Sequence, residues 1–219
     1  MRQIQVYPDS DQLVEAVVEQ SLELLSGMEN PRVALSGGGT GVLIAAGLIQ
    51  ALSASNQLQK VMFFMADERF VEIDDPQSNL GQIKTLIGDL NPNIYSFELP
   101  PETTIMESVS RANEDLGEKF SFDLALMGCG PDGHTASLFP GHDYPEQTVI
   151  AETNSPKPPA QRISFGYSVF QRSSNVWFVA SGAEKATAVS QGLIGNSELP
   201  VGRITGINTT NWFITEELA

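Results

Sequence analysis

A chain of 219 residues is long enough for one large α/β domain, and its 41% hydrophobic and 18% charged residues argue against a fibrous, coiled-coil or disordered protein. Its 12 basic and 27 acidic residues give a net charge of −15, so we expect no general binding to nucleic acid or to an anionic membrane, both of which need a basic surface. Because the chain has one cysteine, it cannot form a disulfide within itself. It has no signal-peptide core and no apolar run of ~18 residues, so we expect a cytoplasmic protein. We also expect a monomer or a small homo-oligomer.

The first half of the sequence alternates helical and strand patterns. Apolar residues at helical spacing predict a first helix, with Asp9 and Gln12 as a capping pair at its start. Short apolar runs between polar turns predict buried strands. In chain order we expect a helix at 9–26, a strand at 32–36, a helix at 40–52, a strand at 60–66, a polar loop at 67–78 and a helix ending near residue 87.

The second half continues this alternation and then becomes richer in strands. Thr104 and Glu107 form a capping-box signature. We expect strands at 94–97, 122–127, 149–152, 163–167, 176–180 and 212–214, with helices at 104–119 and 183–193. The segment 154–160, with three prolines, is predicted to be a surface loop rather than a domain boundary. The whole pattern predicts one domain over residues 1–219, with a mainly parallel sheet covered by helices on both faces.

Four polar or glycine-rich segments directly follow predicted strands. They are residues 36–40, 67–69, 128–134 and 181–185. Ligands of such sheets bind at the carboxyl ends of the strands. We therefore expect the topology to gather these four segments at one edge of the sheet.

The segment from Ser36 through Gly37, Gly38 and Gly39 to Thr40 is a candidate phosphate site. Glycines let backbone N–H groups approach an anion, and the following helix offers its positive N-terminus. The segment is not a P-loop, because no Gly-Lys-Ser/Thr sequence follows it. The alternative is a tight strand-to-helix turn without a ligand.

The segment 128–133 matches the G-x-G-x-x-G dinucleotide fingerprint in spacing. A long helix should follow the third glycine of that motif, whereas Pro140 and Gly141 stop any helix after a few residues. We therefore expect no nucleotide at this segment.

Two histidines are the candidates for a general base that works near neutral pH. His134 directly follows a glycine-rich loop at a strand end, whereas His142 follows a Pro-Gly turn and is expected at the surface. The alternative role for His134 is a structural one, hydrogen bonded to the backbone. A zinc site built from Cys129, Asp132 and the two histidines is conceivable, but the spacing matches no strong zinc pattern, so no metal is expected.

Several cations are candidates for binding an anionic substrate. Arg69 follows an apolar strand, where charged residues are usually solvated, but an arginine there can also clamp a phosphate or carboxylate. Lys185 lies in the first turn of a predicted helix, where the helix dipole disfavours a cation unless an anion is bound. Arg162 and Arg203 lie in the same C-terminal third of the chain.

Three segments together resemble the 6-phosphogluconolactonase family. The most specific is the run FDLALMGCGPDGHTASLFPG at 122–141. The second is DERFV at 67–71 with DPQSN at 75–79, and the third is GAEKA at 182–186, preceded by RIS at 162–164. The SGG at 36–38 is similar to the family's first glycine loop, which commonly continues with Ser-Thr-Pro or Thr-Pro. Because Gly39, Thr40 and Gly41 stand there instead, no serine hydroxyl contact to phosphate is expected from this loop, whereas its backbone N–H groups can still contact phosphate.

The resemblance implies a Rossmann-like fold with extra C-terminal strands, shared with glucosamine-6-phosphate deaminases. It implies hydrolysis of 6-phospho-D-glucono-1,5-lactone to 6-phosphogluconate, a step of the oxidative pentose phosphate pathway, without metal or organic cofactor. His134 would act as general base, Asp132 would orient a loop or the histidine, and Arg69 or backbone N–H groups of the glycine loops would stabilise the oxyanion. The substrate and phosphate contacts would be Gly37, Gly38, Gly39, Thr40, Asp67, Gly130, Arg162, Lys185 and Arg203.

Two other functions remain open. Glucosamine-6-phosphate deaminases share the Asp-Gly-His step but usually continue with Ile-Ala-Phe-Asn-Glu-Pro, where this chain has Thr-Ala-Ser-Leu-Phe-Pro at 135–140. They also usually have a tyrosine at the position of Arg69. A non-catalytic sugar-phosphate-binding domain would tolerate loss of the histidine, whereas this chain keeps His134. These differences favour the lactonase.

Overall fold

A computed structural model describes residues 2–219, and within that range the strands form two sheets. The strands are β1 (Arg2–Tyr7), β2 (Arg32–Leu35), β3 (Met62–Met65), β4 (Asp67–Arg69), β5 (Asn93–Tyr95), β6 (Leu124–Gly128), β7 (Val149–Glu152), β8 (Arg162–Phe165), β9 (Asn175–Ala180) and β10 (Thr209–Thr215). The large sheet has the order β1-β10-β9-β6-β2-β3-β5 and is parallel throughout. The small sheet, β4-β8-β7, is antiparallel.

Helices cover both faces of the large sheet. They are α1 (Ser10–Leu25), α2 (Gly39–Ala54), α3 (Asn79–Ile87), α4 (Ile105–Leu116), α5 (Tyr167–Arg172), α6 (Ala186–Ile194) and α7 (Pro200–Arg203). Short 3₁₀ turns occupy Leu58–Lys60, Ala183–Lys185 and Glu216–Leu218. The first three α-helices pack on one face, and the small sheet with the later helices packs on the other. The predicted α/β fold with a mainly parallel sheet and extra strands is confirmed.

Alternation along the strands builds the two cores. Val33 and Leu35 of β2 belong to the cluster under α1 and α2, whereas Ala34 between them faces the opposite cluster. The same alternation places Phe63 on the first face and Phe64 on the second, where Phe64 packs against Phe122 and Phe165. Because successive side chains of a strand point to opposite faces, apolar strands of this kind are buried on both sides.

The predicted helix starts are confirmed in detail. The side chain of Asp9 accepts a hydrogen bond from the backbone N–H of Gln12 at 2.9 Å, and α1 begins at the next residue, Ser10. Thr104 and Glu107 form both halves of the capping box at the start of α4. These side chains satisfy N–H groups that have no partner inside the helix.

Some short elements differ from the predictions. β1 is an edge strand whose Ile4 and Val6 are exposed, so its sequence lacks a clear buried pattern. β4 lies inside the predicted loop 67–78. The sequence did not predict it, because three consecutive charged residues are not typical of a strand. The predicted strand at 163–167 ends at Phe165, and the six-residue α5, too short for helical periodicity to show, begins at Tyr167.

Ser36 stands where the chain order of the large sheet reverses. From β2 the chain moves outward to β3 and β5, and it then returns to β6 on the other side of β2. The hydroxyl of Ser36 donates to the carbonyl of Leu126 at 2.8 Å and accepts from the N–H of Gly128 at 3.2 Å. Reversal points of this kind open a crevice at the carboxyl ends of the strands.

None of the helices within residues 2–219 combines the length and the apolar character that crossing a bilayer requires.

Candidate active site

A cavity of about 220 Å³ opens at the reversal point between β2 and β6. All four strand-end segments singled out in the sequence contribute to its wall. The lining residues among these are Ser36, Gly37, Gly38, Gly39, Thr40, Asp67, Arg69, Gly128, Cys129, Gly130, His134 and Lys185, and Arg162 joins them from the small sheet.

The glycine loop presents the start of α2 to this cavity. Gly38 is the N-cap of the helix and has φ of +79°, a backbone conformation that favours glycine. The first N–H groups of a helix have no partner within it, and the helix dipole makes this end positive. Thr40 lies within this first turn, and its Oγ1 is 3.1 Å from the Oγ of Ser181. The loop can therefore donate hydrogen bonds to an anion in the cavity.

The position of Asn79 requires a glycine at position 37. A Cβ at position 37 would collide with the amide group of Asn79. That amide is fixed, because its Nδ2 donates to the carbonyl of Asp67 at 3.1 Å, and the Asn79 side chain is buried. The absence of a side chain at Gly37 thus lets the glycine loop and α3 approach each other beside the cavity.

Glu68 holds the start of α3 against the small sheet. Its carboxylate accepts hydrogen bonds from the N–H groups of Asn79 at 2.7 Å and Leu80 at 2.8 Å. Burial raises the pKa of Glu68 to about 7, and the backbone N–H donors oppose that rise. Neither Glu68 nor Asn79 is among the predicted site residues, because their partners are backbone groups, which no sequence pattern identifies.

His134 and Asp132 form a hydrogen-bonded dyad. Nδ1 of His134 contacts Oδ1 of Asp132, and the imidazole ring stacks on Phe139 with 4.9 Å between ring centroids. An ionised carboxylate can only accept, so the proton between the two groups belongs to Nδ1 and the Nε2 lone pair is left free. Burial alone would raise the pKa of Asp132, but the hydrogen bond from His134 and the nearby charge of Lys157 oppose this effect, and the pKa lies well below its usual range.

Gly130 makes room for this dyad. A Cβ at position 130 would collide with the ring of His134. The loop closes on itself, because the N–H of Gly130 donates to the carbonyl of His134 at 2.9 Å and the N–H of Gly133 donates to the carbonyl of Gly130 at 3.0 Å. The N–H of Gly130 is therefore already used within the loop.

Asp67 and the two arginines of the small sheet line the opposite wall. Asp67 is buried, and its Oδ2 accepts from the hydroxyl of Ser137 at 2.6 Å. Arg69 and Arg162 are direct partners across the β4–β8 pair. Like charges placed opposite each other destabilise a sheet. An anion bound in the cavity would offset this repulsion.

Arg162 uses Nε and Nη2 for hydrogen bonds within the protein and leaves Nη1 for the cavity. Only 4% of the residue is exposed. Its Nε donates to the carbonyl of Pro159 at 3.2 Å, and its Nη2 donates to the carbonyls of Lys157 at 3.0 Å and Pro158 at 3.1 Å. Burial lowers the pKa of Arg162 from its usual value, and Asp67 opposes this effect. In the part of the chain described, Nη1 makes no hydrogen bond, so it is the donor left for a ligand.

Two of the remaining predicted residues lie elsewhere than expected. Arg203 does not line the cavity, and its guanidinium stacks on the ring of Tyr167 at 4.1 Å. His142, expected at the surface, is partly buried, with its Nδ1 2.7 Å from Oε2 of Glu152. Lys157, which was not predicted, reaches the dyad from the loop between β7 and β8, with its Nζ 3.3 Å from Nδ1 of His134.

The structure also bears on the zinc site considered from the sequence. Among residues 2–219, no three or more His, Cys, Asp or Glu side chains are grouped in a way that could hold a metal ion. Cys129 is buried, and burial raises the pKa of its thiol to about 12. A thiol of this kind is not a reactive nucleophile.

Comparisons with known proteins agree with the sequence resemblance. The family model for glucosamine-6-phosphate isomerases/6-phosphogluconolactonase matches residues 8–212. 6-Phosphogluconolactonase 3 of Saccharomyces cerevisiae is 31% identical over 230 residues, covering 94% of this chain and 90% of the yeast protein. The structure of 6-phosphogluconolactonase from Thermotoga maritima superimposes with a TM-score of 0.84 at 25% identity, covering 99% of this chain and 100% of that one. A monomeric glucosamine-6-phosphate deaminase, at 20% identity and a TM-score of 0.80 over 99% of this chain and 98% of its own, shares the fold.

The contact between Gly37 and Asn79 gives a prediction about stability. Gly37→Ala should lower the free energy of unfolding by about 1–3 kcal/mol, because the new methyl group forces Asn79 out of its fixed position. Gly39→Ala is the matched control: a Cβ there meets nothing within 4 Å, so the change should be below about 0.5 kcal/mol. Urea denaturation of the three proteins measures both values. Equal stability of the two variants would contradict the close approach of α3 to the glycine loop.

Proposed function

Because the chain belongs to the glucosamine-6-phosphate isomerase/6-phosphogluconolactonase family, we propose that it hydrolyses 6-phospho-D-glucono-1,5-lactone to 6-phosphogluconate in the oxidative pentose phosphate pathway. The observation that carries this proposal is the dyad of His134 and Asp132 on a cavity that Arg69, Arg162 and Lys185 also line. A base with a free lone pair and a cluster of cations are the two requirements of hydrolysing a phosphorylated lactone. The relatives named as 6-phosphogluconolactonases support the same reaction.

The first step is attack of water on the lactone carbonyl. Nε2 of His134 accepts a proton from the water as its oxygen bonds to the carbonyl carbon, and the carbonyl π electrons move to the carbonyl oxygen. The Asp132 carboxylate holds the Nδ1 proton in place, so that Nε2 faces the water as the base. Asp132 also stabilises the imidazolium that results.

The second step opens the ring. The tetrahedral intermediate collapses, the bond between the carbonyl carbon and the ring oxygen breaks, and the imidazolium returns its proton to the departing ring oxygen. The negative oxygen of the intermediate needs donors, and we assign Arg69 to this role because it lines the cavity from β4. No metal or organic cofactor takes part in this scheme.

The phosphate group is assigned to the start of α2 together with Lys185 and Nη1 of Arg162. The net charge of −15 repels a dianionic substrate at long range, so local cations must outweigh that repulsion. Lys185 lies at the end of a 3₁₀ turn, immediately before α6, and lines the cavity. A sugar hydroxyl is assigned to Asp67, whose Oδ2 is engaged by Ser137 while Oδ1 makes no hydrogen bond within the described chain.

Deamination of glucosamine 6-phosphate is the second candidate, because a deaminase shares the fold. The sequence following His134 and the arginine at position 69 favour the lactonase over it. We further propose that the protein works in the cytoplasm as one α/β domain, alone or as a small homo-oligomer.

The first prediction concerns the reaction. Purified protein should hydrolyse 6-phosphogluconolactone and release no ammonia from glucosamine 6-phosphate, because residues 135–140 follow the lactonase pattern. A pH-stat assay and an ammonia assay on one preparation measure the two rates. Ammonia release at a rate comparable to lactone opening would overturn the assignment.

A second prediction concerns the base. His134→Ala should lower kcat by about 100-fold or more, since a positioned base contributes about 10²–10⁴-fold. His142→Gln is the matched control, because glutamine retains an N–H donor for Glu152 and this residue lies outside the cavity lining. Steady-state kinetics with circular dichroism to check folding compares the variants. If both reduced kcat equally and slightly, His134 would be a structural residue.

The phosphate assignment gives the third prediction. Lys185→Met should weaken binding of 6-phosphogluconate by about 10- to 150-fold, because a charge-assisted bond contributes about 1.5–3 kcal/mol. Arg203→Met, which removes a cation outside the cavity lining, should leave the affinity within about twofold. Calorimetry measures the affinities, and hydrolysis of unphosphorylated gluconolactone should change little in either variant. An unchanged affinity in Lys185→Met would place the phosphate elsewhere.

A further inference from the structure

Lys157 stands beside the dyad although it comes from a different part of the chain. Its Nζ lies 3.3 Å from Nδ1 of His134 and 3.7 Å from Oδ1 of Asp132. The side chain is 40% exposed, so its ammonium group lies at the rim of the site rather than in the protein interior. The loop that carries it, residues 154–160, joins β7 to β8.

Hydrogen bonds hold the backbone of Lys157 in place. Its carbonyl accepts from Nη2 of the buried Arg162 at 3.0 Å and from the hydroxyl of Ser155 at 2.8 Å, and its N–H donates to the same hydroxyl at 3.2 Å. At the start of the loop, the N–H of Asn154 donates to Oε1 of Glu152 at 2.6 Å. The loop is thus built to present this lysine at a fixed position.

The protonation of the dyad decides what the ammonium group can do there. Because Nδ1 carries the proton that it donates to Asp132, a lysine ammonium, which is a donor only, cannot hydrogen bond to Nδ1. Lys157 therefore acts on the dyad through its charge and through Oδ1 of Asp132. A cation at this distance favours the ionised carboxylate and disfavours a second positive charge on the ring.

We propose that Lys157 is a positioning residue of the dyad: its ammonium group, placed beside Nδ1 of His134 and Oδ1 of Asp132, keeps the free imidazole of His134 neutral, so that Nε2 is available as a base. The carboxylate alone would favour the protonated ring, which cannot accept a proton. Lys157 offsets that attraction. The catalytic use of this base rests on the proposed hydrolase function, whereas the charge coupling itself does not.

Other charged groups also face the ring of His134. Asp132 belongs to the same loop, and Arg162 of β8 lies over the Phe139 ring on which His134 stacks, with 5.7 Å between the guanidinium carbon and the ring centroid. Lys185 lines the same cavity. Each of these residues is retained in the Lys157 variants, so the effect of Lys157 can be measured as a difference.

The test is a titration of the two histidine rings followed by NMR in the free protein. In Lys157→Met, the His134 midpoint should move to higher pH by about half a unit to one unit, because a repulsive cation has been removed from a partly exposed site. Lys157→Arg should restore most of the original midpoint. Lys119→Met, which removes an exposed lysine in the turn after α4, is the control and should leave it unchanged. His142→Gln assigns the two signals.

The same variants then report on catalysis. The acid limb of the kcat/KM profile for the lactone should move with the His134 midpoint in Lys157→Met and return in Lys157→Arg. A midpoint that stays the same in Lys157→Met and in a second variant, Lys157→Gln, would overturn the proposal whatever the activity. A shifted midpoint in a protein that does not open the lactone would instead retain the charge coupling and refute the hydrolase function.

Discussion

The contact between Nδ1 of His134 and Asp132 is the constraint on which the rest of the site depends. It fixes the tautomer of the ring and thereby decides which nitrogen can act as a base. Several neighbouring features of the same segment support this contact. Gly130 leaves the volume that the ring occupies, Phe139 supports one face of it, and the loop closes through its own backbone hydrogen bonds. The local sequence is therefore dictated by the placement of one ring.

Charge is distributed unevenly in this acidic protein. The net charge is −15, yet Arg69, Arg162 and Lys185 line one cavity and Lys157 stands near the dyad. Such an arrangement costs free energy in the empty site, most clearly where Arg69 and Arg162 face each other across two strands. A site that is destabilised by its own cations gains more from binding an anion, because the repulsion is relieved at the same time.

Long, periodic elements and contiguous motifs were predictable from the sequence, and features that depend on distant partners were not. The helix starts at Asp9 and Thr104 were predicted because a cap and its target lie three residues apart. The four strand-end segments were expected to meet because the carboxyl ends of parallel strands lie at one edge of a sheet. Lys157 was missed because it lies in a proline-rich loop and meets His134 across 23 residues of sequence. Glu68 was missed because its partners, the N–H groups at the start of α3, are backbone groups that no sequence pattern identifies.

The two sheets contribute different chemistry to the site, and Ala66 is hydrogen bonded to both. The N–H of Ala66 donates to the carbonyl of Leu35 in the large sheet at 2.7 Å, and its carbonyl accepts from the N–H of Phe165 in the small sheet at 3.1 Å. The large sheet carries the glycine loop and His134, whereas the small sheet carries Arg69, Arg162 and the loop of Lys157.

Arg162 connects the cavity with the loop of Lys157, because the guanidinium that faces the cavity also holds the carbonyl of Lys157. The guanidinium of Arg162 would thus contact an anion at Nη1 and, at the same time, hold the loop that carries Lys157 next to the dyad. Charge-assisted bonds to the anion would restrain the guanidinium of Arg162 and, through it, the loop of Lys157. The base would therefore be held most firmly when the substrate is bound.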